Sequence, residues 1–270
     1  MSDTLVKAIT KGVRVYAAVT TDLVNEAIKR HDCYPVAAAA LGRTMTGALL
    51  MAANLKNKEA ITINIRGNGP LANITADAVP EGYVRGYVAN PHVELPLNAQ
   101  GKLDVGGGVG QGLVTVTRFT GLREPMRGSS EIVSGEIAED LTNYLYVSEQ
   151  TPSSIGLGVL VDTDYTAKAA GGFMIQPMPD ADEEIITKLE ENLKNLRPVT
   201  TMIAEGKGPK EIIEEIMTGF QMEFLTTTEL GFKCQCSKER LEDVLLNLNR
   251  DDMLLSLIHI SEPTRLGMIS

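Results

Sequence analysis

YPVAAAALGRTMTGALLMAANLK, residues 34–56, decides how the chain is built. Pro35 suits the first turn of a helix, where its missing N–H costs nothing. The residues that follow are apolar on every side, so the helix has no face to offer water and reads as the centre of a core. Ala37 to Ala40, Gly42 and Gly47 give it a small-residue surface that lets another backbone come close. Arg43 and the threonines interrupt the run, which argues against a membrane span.

Strands flank this helix on both sides. GVRVYAAVTTDLV (12–24) is β-branched and alternating, then meets Thr21 and Asp22, which are helix-capping types, so a short helix ending near His31 follows. ITINIRGNGPLANITADAV (61–79) reads as two strands around a GNGP turn, with Ile61, Ile63 and Ile65 on one face. GYVRGYVANPHVELP (82–96) and GLVTVTRF (112–119) add strands. SGEIAEDLTNYLYVSEQ (134–150) reads as a helix with Ser134 as N-cap and Glu136 and Glu139 near its positive end. IGLGVLVDTDYTAKAAGGFMIQPMP (155–179) reads as a hairpin of two apolar strands. Helices and strands mix without a regular βαβ rhythm, so the class is α+β, with a large mixed sheet-and-helix domain at the N-terminus.

The character changes after Pro179. DADEEIITKLEENLKNL (180–196) and KGPKEIIEEIMTGF (207–220) are charged helices with a thin apolar stripe at Ile185, Ile186, Leu189, Leu193, Ile212, Ile213 and Ile216. They read as surface or linker helices between two modules. MEFLTTTELGFKCQC (222–236) is extended. SKERLEDVLLNLNR (237–250) reads as a last helix capped by Ser237, with Glu239 in its first turn. The expected organisation is a core domain over 1–180, a helical linker over 181–230, a cysteine module over 231–254 and a tail over 255–270.

Composition excludes several functions. The 270 residues carry a net charge of −10, so no basic surplus exists to neutralise phosphates and no nucleic-acid role is expected. Three cysteines are too few for a secreted disulfide scaffold, and the N-terminus has no apolar signal core, so a reducing cytoplasm and no membrane are expected. With 4% aromatics and no Trp, the core must rest on aliphatic residues and Met.

Catalytic constellations are weak. GGGVGQG (106–112) has dinucleotide-like glycine spacing, but a strand rather than a helix follows it, so a tight β-connection is the better reading. His31 and His92 lie in no metal-spacing motif. Ser148 and Glu149 lack a nucleophile elbow. Glu136, Glu139 and Asp140 make an acidic helix start that capping explains, and Cys33 is a small semi-buried residue. Cys234 and Cys236 differ. Residues two apart on an extended segment point the same way. Two thiolates could face one Zn²⁺, which supplies half of a structural tetrahedral site; a redox pair is the other chemistry of such spacing. The N-terminal dipole of the helix that follows would lower their pKa.

Several stretches together resemble the heat-shock protein 33 or 33 kDa chaperonin family of redox-regulated holdase chaperones. They are residues 34–56, IRGNGPL, VRGYVANP, SGEIAEDLTNYLYVSEQTPSSIGLGVLV, AAGGFMIQPMP and FKCQCSKER, in family order over residues 4 to about 254. The resemblance implies an α+β domain, a helical linker and a C-terminal zinc module. It implies that a C-x-C and a later C-x-x-C hold one zinc when reduced. Oxidation to disulfides releases the metal and unfolds module and linker, and apolar surface then binds unfolding clients without ATP. Cys234 and Cys236 match the C-x-C as metal ligands and redox-active residues; the C-x-x-C has no counterpart here. A homodimer is one expected assembly, and no catalytic turnover is expected.

The tail explains the missing half. Leu255 to Arg265 is the translation of a common transposase-type sequencing adapter, so an artefact fused to a truncated gene is expected and His259 is not a ligand. The rival is a natural short tail. Two rival functions remain at this level: an enzyme holding a phosphate or dinucleotide at Gly106 to Gly112, and a zinc-stabilised interaction module without redox switching.

Overall fold

The structure, a computed structural model, describes residues 2–122, 124–179, 181–234, 242, 246 and 247. In chain order the elements are β1 (Thr4–Thr10), β2 (Val13–Val19), α1 (Thr21–His31), α2 (Pro35–Ala52), β3 (Ala60–Gly67), β4 (Asn73–Ala78) and β5 (Tyr83–Val88). There follow α3 (Val105–Val109), β6 (Gly112–Phe119), β7 (Met126–Glu131), α4 (Ala138–Glu149), β8 (Ser154–Val161) and β9 (Ala167–Pro177). The last are α5 (Glu183–Lys194), α6 (Val199–Ala204), α7 (Pro209–Ile216), β10 (Glu223–Glu229) and β11 (Gly231–Phe232). The α+β class holds.

The strands form two sheets. Sheet A has the order β10-β1-β2-β9-β8 and sheet B the order β11-β5-β4-β3-β6-β7. Every neighbouring pair is antiparallel except β11 with β5. Strands β3 and β4 of sheet B alternate between buried and half-exposed positions. Ile61, Ile63 and Ile65 face inward with Ile74, Ala76 and Val116, while Thr62, Asn64 and Thr75 face out. That is the pattern of a sheet with one wet face.

Sheet A is different. On β2, Tyr16 and Ala18 belong to one apolar core, and Val13, Val15, Ala17 and Val19 belong to another. Register extends the division: Tyr16 lies opposite Met174, and Val15 opposite Ile175. Both faces are buried, so β2 and β9 read as continuous apolar runs.

Helix α2 covers the inner face and packs against β3, β4 and β5 of sheet B as well. All its residues but Pro35 and Arg43 are buried. It has the length and hydropathy of a membrane span, yet 89% of that window is buried inside the protein. Its small residues admit side chains rather than the expected backbone. A Cβ on Gly47 would lie 2.5 Å from Leu141 Cδ1, and one on Gly42 2.8 Å from Val159 and 2.9 Å from Val24. The buried Thr44 and Thr46 hydroxyls donate to the carbonyls of Ala40 and Gly42, both at 2.8 Å, so they cost no unpaired donor.

Two helix starts are capped from unexpected places. For α1 the cap is neither Thr21 nor Asp22 but Asp3, whose carboxylate accepts from Asp22 N at 3.1 Å and Leu23 N at 2.7 Å. Burial outweighs these bonds and pushes the Asp3 carboxyl up to about 6. For α4 the cap is Asp140 rather than Ser134. Its buried carboxylate accepts from Val133, Ser134 and Gly135 N at 2.8, 2.9 and 3.2 Å, and from Ile137 N at 2.8 Å. This knot holds Ile137 at φ 73°, a conformation that a β-branched residue adopts only under constraint.

The contacts place residues Met1–Lys233 in one compact unit and Cys234–Ser270 in a second. The expected boundary near 180 is not where the packing divides, because α5 to α7 lie on the outer face of sheet A and β10 joins that sheet. The stretch expected as a last helix and the tail over 255–270 lie outside the described residues, save Glu242, Leu246 and Asn247.

Asp140→Ala strips one acceptor from four main-chain donors and frees a strained residue. It should lower the urea unfolding free energy by about 2–4 kcal/mol. An unchanged urea midpoint would show that the knot is not structural.

Candidate functional site

Cys234 is exposed and follows Lys233 directly. Cys236 lies outside the described residues, as do Ser237, Glu239 and His259. Two thiolates are soft donors of the kind zinc takes, and would supply two of the four ligands that a closed site needs. Among the described residues no group of three or more His, Cys, Asp and Glu could hold a metal.

Cys33 is a different kind of thiol. It is 2% exposed, in the core beside α1 and α2. Burial, with a smaller contribution from the Asp32 carboxylate, pushes its pKa up to about 12. The expected role as a small apolar residue fits this setting.

The glycine stretch at 106–112 is taken up by the fold. Residues 105–109 form the short α3 instead of a plain β-connection, and the 67–72 turn packs on it. A Cβ on Gly67 would lie 1.8 Å from Val109 O, and one on Gly112 2.0 Å from Arg66 O. Main-chain amides that would face a phosphate already have acceptors. Gly107 N donates to Asp104 Oδ1 at 2.8 Å, Gly106 N to Glu136 Oε1 at 3.3 Å and Gln111 N to Asn68 Oδ1 at 2.8 Å. Packing explains these glycines, which leaves the nucleotide reading without support.

The other polar candidates are structural as well. Ser148 Oγ donates to Ser129 O at 2.9 Å, and Glu149 pairs with Arg118 at 2.6 Å. Glu136 pairs with Arg43 of α2. His92 Nε2 lies 2.9 Å from Asp32 Oδ2, and His31 meets the Phe232 ring edge-on.

The distinctive surface is apolar. Val6, Ala8, Val13, Val15, Ala17, Val19, Phe173 and Ile175 line the outer face of sheet A. Over it lie Leu189 of α5, Val199, Met202 and Ile203 of α6, Ile212, Ile213 and Ile216 of α7, and Met217. The expected stripe is therefore buried at Leu189, Ile212, Ile213 and Ile216, and half-buried at Ile185, Ile186 and Leu193. Sequence reading missed α6 and its three apolar residues, because six residues are too few for a period to show.

Polar contacts tie this layer to itself. Arg197 donates to both Glu205 oxygens at 2.9 Å and to Glu215 Oε1 at 3.0 Å, and Lys207 also pairs with Glu215. Hydrogen bonds from Arg197 and Lys207 hold the Glu215 carboxyl below its ordinary range. Asn192 of α5 donates to Ile216 O at 2.9 Å and Thr218 O at 3.0 Å, capping the end of α7. The three helices thus form one polar-stitched unit, held to the sheet by apolar contact.

The model of the Hsp33 protein family matches residues 3–262. The chain belongs to the Hsp33 protein family. The match runs eight residues past 254, into the stretch expected as a tail. Two similar relatives are the 33 kDa chaperonins of Desulforamulus reducens, 48% identical over 94% of this chain and 87% of that protein, and of Bacillus subtilis, 50% identical over 93% and 87%. The solved structure of the 33 kDa chaperonin of Thermotoga maritima superposes with a TM-score of 0.86 at 38% identity, covering 94% of this chain and 88% of that one. The α+β architecture is the Hsp33 architecture, and the family is one of chaperones.

Iodoacetamide at pH 8 should alkylate Cys234 and leave Cys33 untouched in the folded chain. With a pKa of about 12 its thiolate fraction there is about one in ten thousand. Peptide mass spectrometry reads the outcome; comparable alkylation of both residues would contradict the burial account.

Proposed function

We propose that this chain is an ATP-independent, oxidation-activated holdase of the cytoplasm, which binds unfolding proteins and keeps them from aggregating. The observation that carries this reading is the apolar outer face of sheet A, covered by three short helices that pack on it through side chains alone. Uncovered, that face and the stripe that covers it become one broad apolar surface of the kind that marks interaction sites.

The sensor in this reading is the pair Cys234 and Cys236. Peroxide takes two thiols to one disulfide: the S–S bond forms, the O–O bond breaks and two waters leave. When bound, zinc supplies folding energy to the segment carrying its thiolate ligands. Cys234 follows Lys233 by one peptide bond, so disorder around the cysteines pulls on β11, β10 and the helices before them. The helices are 12, 6 and 8 residues long. Helices this short are marginal without tertiary packing, so an uncovered layer has little reason to stay helical.

A zinc-stabilised interaction module without switching would show the same client binding before and after peroxide. A chain with two of four ligands should bind zinc weakly, and more tightly at protein concentrations where two chains share one ion. Tight one-to-one zinc in a monomer would contradict that ligand count.

Ile213→Ser tests the cover directly. Ile213 is fully buried, so the change should weaken the layer's seat by about 3–5 kcal/mol. Trypsin cutting at Lys210 reports release. The released layer should suppress aggregation of a denatured client without peroxide or ATP. A variant whose layer is released, whose body stays folded and which suppresses nothing would remove this face from the mechanism.

A further inference from the structure

β10 and β11 form one strap that closes one edge of each sheet. β10 pairs with β1, placing Leu5 opposite Thr228, Val6 opposite Thr227 and Lys7 opposite Thr226. β11 then pairs with β5, placing Gly231 opposite Tyr83 and Phe232 opposite Val84. Between them Leu230 N donates to Asp3 O and Gly231 N to Gly82 O, both at 3.0 Å, and Lys233 N donates to Val84 O at 2.9 Å.

Side chains do little of the holding in β10. Only Phe224 and Thr228 are half-buried, and the other five residues are exposed. The ladder is also interrupted: Lys7 faces Thr226 and Ala8 faces Phe224, so Leu225 is an extra residue in a bulge, 52% exposed. β1 therefore holds its neighbour mainly by main-chain hydrogen bonds, with Phe224 packed against the outer apolar layer as the principal side-chain contact. A site of that kind suits any extended chain with unpaired N–H and C=O groups, which is what an unfolding protein exposes.

We propose that the β1 edge is a second client site, used by β-addition: an extended, proline-free client segment takes the place of β10 once the strap lifts. The apolar face supplies affinity and the edge supplies main-chain registration. This rests on the holdase reading above and adds the mode of recognition to it.

The test uses a fluorescein-labelled peptide of residues 222–230, MEFLTTTEL, and the same peptide with alternate amides N-methylated. N-methylation keeps the side chains and removes ladder donors. Fluorescence anisotropy measures both against the full peroxide-treated chain. A second arm uses the reduced Thr226→Pro/Thr228→Pro double variant, which unseats β10 without touching a fully buried residue. The unmodified peptide should bind at least tenfold more tightly than the methylated one to one of these opened forms. Equal affinities, or no binding, in both forms overturns β-addition. Client aggregation measured alongside keeps the two claims apart. Suppression without peptide discrimination leaves the holdase reading standing and removes the edge site; discrimination without suppression does the reverse.

Discussion

The centre of sheet A, β2 and β9, has no face for water. Val15 and Tyr16 are adjacent in sequence, point in opposite directions and are both buried. That single constraint requires two covers, and the rest of the molecule supplies them. The inner cover is α2, eighteen residues long, apolar all round and shared with sheet B. The outer cover is α5, α6 and α7, short amphipathic pieces with their charges turned to water. Removing the inner cover would dismantle both sheets. Removing the outer one would leave the inner core untouched. Local opening free energies differ across a protein in this way.

The electrostatics of that layer fit a unit that moves together. Arg197, Lys207, Glu205 and Glu215 link α6 and α7 with the loop before them, and these side chains are partly exposed. Such pairs add little stability each but make partial release less favourable than release as a block. Glu215 has a lowered pKa, so its contribution is present at neutral pH, above the ordinary carboxylate range, and is lost as pH falls through its lowered value. Mild acidification alone therefore leaves the layer in place.

Much of this was legible in the sequence, for reasons that also explain what was not. The alternation of β3 and β4 and the all-apolar α2 are local patterns, and each forces its element. The stripe on α5 and α7 showed that something must cover it, but a stripe cannot name its partner, so these helices read as a linker instead of a second layer. The caps were hidden for another reason. Asp3 is many residues before the helix it caps, and Asp140 sits inside its own helix and reaches back; neither occupies the position where a cap is sought. The polar β7 is an edge strand and shows no apolar face, and α3 is glycine-rich against its helix propensity. The cysteine pair could be read only from residue type and spacing, since Cys236 lies outside the described residues.

The central claim is that the outer cover comes off while the core stays. Hydrogen–deuterium exchange on the full chain, before and after peroxide, tests it most directly, with client binding measured on the same samples. Amides of α5, α6, α7 and β10 should lose protection on oxidation, while those of α2, β2, β3, β4 and β9 keep theirs, and client binding should rise with the loss. Client binding that rises with no change in the outer helices, or with an equal loss of protection throughout both sheets, would contradict the account.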